Sequence, residues 1–241
     1  MRVLGISPAH DASVCVINNG KLEYFFKEER LSRVKRDGHP YLALIEVSKL
    51  VDKIDFCVFS SPTEGKWDDI LLFVKKLFNC PIEIFCDRHH LCHAALSFEN
   101  SNYKEALVFV VDRNGSVVDN VMRESESIFH ATQYPYKFKE IYKNYWDFGE
   151  GGTEKSIKNL KRKNINCEYF CESKFNITKV YETATSLIKQ DVLENGKTMG
   201  LSSYGKDAGR SDFFLENGFP NDDLFSHKKV NYSDTIVNFF M

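Results

Sequence analysis

The chain has 241 residues, 43% of them hydrophobic, and its 32 basic and 34 acidic side chains give a formal net charge of −2. That is enough apolar mass for one large or two small globular domains, and it excludes a whole-molecule field that would draw the protein to nucleic acid or to a membrane. No stretch approaches the roughly 20 apolar residues of a membrane span, and Val3 to Ile6, followed at once by His10 and Asp11, is too short an apolar run for a signal peptide. In chain order, Val3 to Ile6, Ser13 to Ile17 and Leu22 to Phe26 alternate like strands, with Asn19-Gly20 as a hairpin signal between the last two. Pro40 to Val51 has one apolar helical face, Ile54 to Phe59 reads as a strand, and Ile70 to Phe78 is helical again. Ile82 to Phe85 is a short strand, His89 to Phe98 has helical spacing, and Ala106 to Val111 reads as a buried strand. A meander followed by alternating helices and strands predicts an α/β domain on a mixed sheet, with residues 1–133 as its first lobe. Residues 134–179 read as an insertion or mobile excursion, polar, aromatic and basic, with Lys155, Lys158, Lys161, Arg162 and Lys163. Residues 180–241 hold a helical period over Val180 to Ile188, a glycine-rich segment, and then sparse signals, and are expected to be the glycine-loop segment and the start of a truncated second lobe.

Three groups of residues carry chemistry. In Arg88-His89-His90-Leu91-Cys92-His93, His89 and His93 stand four apart and share a helix face, a spacing that suits two imidazoles on one divalent metal and equally suits ordinary surface histidines. His90 faces away from the pair. The strand after it ends in Asp112, a carboxylate where sites of α/β domains gather, or else a turn aspartate capping its own backbone. The second group is Ser7-Pro8-Ala9-His10-Asp11, a polar turn between apolar strands in which His10 is a candidate base. The third, Gly196 to Gly205, has three glycines and permits close backbone approach, but it is not a Walker loop and reads equally as a helix end and a turn. The seven cysteines form no CxxC pair and read as reduced thiols of a cytoplasmic protein.

HDASVCVINNGKL, EERLSRVKRDG, HHLCHA, ALVFVVDRNG and GKTMGLSSYG stand here in the order found in the O-carbamoyltransferases of antibiotic biosynthesis and nodulation factor modification, which the chain resembles over residues 1 to about 206. The first domain of that family is similar to the universal tRNA threonylcarbamoyl-transferring protein. The resemblance implies an actin-like (ASKHA, ribonuclease H-like) domain that holds an iron-type divalent ion and binds a carbamoyl adenylate made from carbamoyl phosphate and ATP. It implies His89, His93 and Asp112 as metal ligands, and His10 as an active-site histidine with Asp207 as a second candidate base. Lys35, Gly200, Ser202, Tyr204 and Gly205 are implied on the nucleotide side. Arg113 stands where the family has glycine, and Ser202-Ser203 where it has alanine-proline.

In the implied reaction an acceptor hydroxyl attacks the carbamoyl carbon, and a Lewis acid stabilises the charge that builds on oxygen. The acceptor class is a sugar, a metabolite or a hydroxymethylated pyrimidine, with DNA suggested only by the basic 155–163 stretch. The family pattern also has a full second lobe and an adenylate-forming domain, so the expectation is a partner subunit or further chain that supplies them. The competing readings are a tRNA threonylcarbamoyl transferase and a non-catalytic module that keeps the fold.

Overall fold

A computed structural model describes residues 1–61, 65, 67–112, 115–118, 122–147, 167–172, 178, 185, 188, 190–191 and 194–205. The chain opens as an antiparallel meander of β1 (Arg2–Ser7), β2 (Ser13–Asn18) and β3 (Lys21–Lys27). Asn19 and Gly20 both take positive φ, 50° and 80°, in the turn between β2 and β3, which is why this dipeptide marks a hairpin. Two short helices follow, α1 (Glu28–Ser32) and α2 (Tyr41–Leu50), and then β4 (Phe56–Ser60), α3 (Asp68–Phe78) and β5 (Ile82–Phe85). β4 lies parallel to β1, and β5 parallel to β4, so the first sheet has the order β3-β2-β1-β4-β5.

Parallel neighbours require crossover connections, and α2 and α3 provide them. They bury Leu44, Val47, Ile70 and Val74 against Leu4, Val14, Val16 and Phe59 of the sheet. The buried carboxylate of Glu28 fixes the entry to α2 by accepting the N–H groups of Leu42 at 3.0 Å and Ala43 at 2.8 Å, donors that no intrahelical carbonyl can reach.

After α4 (His89–Ser101), the strand β6 (Glu105–Val111) starts a second sheet instead of extending the first. β6 pairs antiparallel with β8 (Met122–Gln133), and β8 pairs antiparallel with β9 (Tyr136–Asp147). The short β7 (Val117–Val118) pairs with the start of β8, and β10 (Glu168–Glu172) joins β9 in parallel. Expected as a buried strand, β6 is covered on one side only: Val108 and Val110 pack with Ala94 and Phe98 of α4, whereas Phe109 is 65% exposed.

The division expected at residue 134 falls in the two-residue turn of the β8–β9 hairpin. The first described part of the segment read as an excursion is therefore a 12-residue strand. Its pattern is hard to see because its buried residues include Lys143 and Asn144. The basic 155–163 stretch lies outside the described residues, as does most of the helical period at 180–188. The glycine-rich segment is helical, α5 (Asn195–Ser202), with the buried Thr198 hydroxyl 2.8 Å from that of Thr185. Tertiary packing here overrides the poor helix propensity of Gly196 and Gly200. Among the described residues no helix is long and apolar enough to cross a membrane, and Cys15, Cys57, Cys80, Cys92 and Cys167 are free thiols.

Candidate metal centre

α4 presents different residues to its two sides. His90, Ala94 and Phe98, spaced i, i+4, i+8, are its buried residues, and this stripe packs on the second sheet. His89, Cys92, His93 and Leu96 instead border a cavity of about 310 Å³ whose far wall includes Gly5 and Ser60 of the first sheet. The Cys92 thiol lies 3.4 Å from the Ser60 hydroxyl across this cavity.

The first turn of α4 also meets the end of β6. Asp112 follows directly on β6 and is still tied to β8, because its N–H donates to the Ser125 carbonyl at 2.9 Å. Its Oδ2 lies 3.0 Å from His89 Nε2, which in turn lies 3.1 Å from His93 Nε2. One ligand atom from each of the three side chains falls within 4.8 Å of the other two. Donors bound to one ion at about 2.0–2.2 Å stand about 3 Å apart, so this trio fits a single divalent ion. Two imidazoles and one carboxylate with the remaining positions open form a donor set that both zinc and ferrous iron accept. His93 is the most open of the three, yet partial burial and the neighbouring His89 hold its pKa below the usual imidazole range.

Behind these donors lies a buried polar network. His90 is 0% exposed, and its Nδ1 is 2.7 Å from the Ser127 hydroxyl. Its Nε2 has no hydrogen-bond partner and lies 3.9 Å from Asp112 Oδ2. Burial pushes the His90 pKa down to about 4 against the opposing pull of the Glu124 and Asp112 carboxylates, so the ring is neutral at physiological pH. Glu124 and Lys143 form a buried ion pair. The second oxygen of Glu124 accepts the Ser116 N–H at 3.1 Å, and the Ser116 hydroxyl accepts the His89 N–H at 3.1 Å. A register shift in β8 between Glu124 and Glu126 is what lets Glu124 and Ser127, an odd number of positions apart, both be buried. Sequence reading missed this layer, Gly115, Ser116, Glu124, Ser127 and Lys143, because polar residues on a strand carry no mark that distinguishes buried from exposed.

The other candidate residues are placed as follows. His10 is exposed, with Nδ1 3.0 Å from Asp11 Oδ2, and Asp11 also accepts from Lys27 Nζ at 3.2 Å. His10 first, and Lys27 after the opposing effect of burial, hold the Asp11 carboxyl below its ordinary value. The flanking residues Ser7 and Ser13 line the 310 Å³ cavity, and His10 stands outside that lining. Lys35 pairs with Glu194 at 3.0 Å, just ahead of α5. Lys197 and then Lys35 hold the Glu194 carboxyl down at about 2. Gly200 and Ser202 lie on α5 rather than on the expected loop, and Ser202 donates to the Met199 carbonyl at 2.6 Å. Tyr204 is 86% exposed, and Gly205 donates its N–H to the Ser202 carbonyl. Gly200 and Tyr204 line a separate cavity of about 420 Å³ with Lys197 and Gln190. Asp207 lies outside the described residues. Neither a comparison with protein-family models nor one with curated proteins gives a match for this chain.

Proposed function

We propose that the chain is the N-terminal, carbamoyl-transferring part of an ATP-dependent O-carbamoyltransferase, with His89, His93 and Asp112 holding a ferrous-type ion. The observation that carries this reading is the convergence of those three side chains, two from a helix start and one from a strand end 23 positions along the chain. The motif order of the sequence supplies the chemical class. An antiparallel meander continued by two parallel strands, with a second sheet beginning after α4, agrees with an actin-like first lobe joined to the start of a second.

When bound, the ion supplies Lewis acidity toward a carbonyl or phosphate oxygen of the carbamoyl donor. The chain's own residues have separable roles. The Asp11 carboxylate on Nδ1 of His10 favours the tautomer whose Nε2 lone pair accepts a proton from an acceptor hydroxyl. Ser7, Ser13 and Ser60 give the cleft between α4 and the first sheet hydroxyl partners for a small polar group, beside the apolar side chains of Cys15, Phe25 and Leu96. The cavity at Gly200, Lys197 and Tyr204 offers open backbone, a cation and an aromatic face to the nucleotide part of the donor.

The test uses purified protein, ferrous iron under anaerobic conditions, and a hydrolysis-resistant carbamoyl-adenylate analogue in a calorimeter. One ion per chain is expected, with analogue binding that depends on the ion and is lost in His93→Ala. A wild-type protein that takes up no ion, or binds the analogue equally without it, overturns the reading.

A further inference from the structure

His90 occupies the first position of the α4 stripe that otherwise buries Ala94 and Phe98 against Val108, Val110, Phe129 and Ala131. Packing alone would be served by leucine or methionine there. A buried imidazole costs free energy unless both of its nitrogens find partners, and here one is unpaired: Nε2, with Asp112 Oδ2 at 3.9 Å. The ring is held at both ends. Ser127 fixes Nδ1 at 2.7 Å, and Gly115 packs so closely on the other edge that a Cβ there would come within 2.5 Å of Nε2 and 2.7 Å of Cδ2.

Resting on the metal reading of the same site, we propose that His90 is a positioning residue whose Nε2–H aims the Asp112 carboxylate at the ion shared with His89 and His93. Because Nε2 faces a carboxylate, the single N–H of the neutral ring is placed there, which leaves Nδ1 to accept from the Ser127 hydroxyl. Asp112 Oδ2 lies 3.0 Å from His89 Nε2, a distance at which an N–H on that nitrogen would donate to it. To serve as a ligand, His89 must present a lone pair at that same nitrogen, so Asp112 loses this donor. A shift of about 1 Å then brings Oδ2 within hydrogen-bond distance of His90 Nε2, and one donor replaces the other. A carboxylate ligand held by a second donor keeps its orientation, and removing such partners elsewhere weakens metal affinity by about 10–100-fold.

Co²⁺ is the probe, since its visible absorption reports ligand geometry while a titration gives its Kd. His90→Asn keeps a polar group near Ser127 but ends short of Asp112, and His90→Gln carries an amide N–H out to the position of Nε2. His90→Asn is expected to weaken Co²⁺ binding about 10–100-fold and to shift the visible bands, with His90→Gln recovering most of both. Ser127→Ala leaves His90 in place but removes the group that sets its tautomer, and it should weaken binding in the same direction by several-fold. If His90→Asn is unfolded by circular dichroism, Ser127→Ala and His90→Gln decide the matter. Wild-type Kd and spectrum in the folded His90→Asn, or in Ser127→Ala where the former does not fold, overturn the proposal. A wild-type protein that binds no Co²⁺ removes the metal reading itself, an outcome distinct from a wild-type that binds and variants that bind equally well.

Discussion

At position 115 a hydrogen atom stands in place of a side chain for reasons of space. A methyl group there meets His90 Nε2 at 2.5 Å and the Glu124 Cβ at 2.8 Å, and neither neighbour is the loose end of a flexible chain. Gly115→Ala should cost about 1–3 kcal/mol as overpacking, read as a lower urea midpoint in the presence of chelator, and Co²⁺ affinity should fall with it. An unchanged midpoint would show that the His90 ring has room to move. The histidine pair was legible in the sequence because four residues make one helical turn, and Asp112 because it ends a run of apolar residues. Their meeting was not legible, since it depends on how α4 and β6 are laid against each other. His90 carries the same letter as His89 and His93, and only its burial separates it from them.

At the scale of elements, β8 and β9 explain both what the sequence concealed and what it stabilises. The strand alternation of β8 is broken by the register shift beside Ser125, and its buried set includes Glu124, Ser125 and Ser127, so no period-2 apolar pattern announces it. The β1–β3 meander, in contrast, was readable in full, because its inward positions are apolar and its turn is Asn-Gly. The Glu124–Lys143 pair makes a sharp prediction. Lys143→Met leaves a buried carboxylate without its cation and should cost about 3–5 kcal/mol, whereas Glu124→Leu with Lys143→Met should recover most of that loss, both measured by urea unfolding with chelator. Burial acts to raise the Glu124 pKa, but Lys143, with His90 and the Ser116 N–H, holds it below its ordinary 4.5. The carboxylate's contribution is therefore fully present above about pH 4.5 and is lost as pH falls through the lower folded value. Acid titration should show wild type losing stability in that range more steeply than the double variant; parallel curves would mean that the pair does not set it.

For the molecule as a whole, the sequence conveyed the order of helices and strands but not their division between two sheets, because an apolar strand such as β6 is compatible with either. Each sheet has its own core, and α4 belongs to the second while lining the cavity it shares with the first. The proposed ion, bridging α4 and the end of β6, would bind the folded chain alone, so at 100 times its Kd it should add about 2.7 kcal/mol to the unfolding free energy. Thermal unfolding with and without Co²⁺ checks this, and a shift of the same size in His93→Ala would mean that the ion binds elsewhere.

Ser116 joins this stability to the site. Its N–H donates to Glu124, its carbonyl accepts the Glu124 N–H, and its hydroxyl receives the N–H of His89. A lineage selected only for heat resistance could exchange Glu124 and Lys143 for apolar residues at little cost or some gain. The same exchange removes the side-chain acceptor of the Ser116 N–H, one of the two bonds that fix Ser116, and so loosens the anchor at the start of the helix carrying both histidines. Heat resistance and metal loading would then compete for the same two positions, and a sequence that kept the metal could be improved only where this chain of hydrogen bonds does not run.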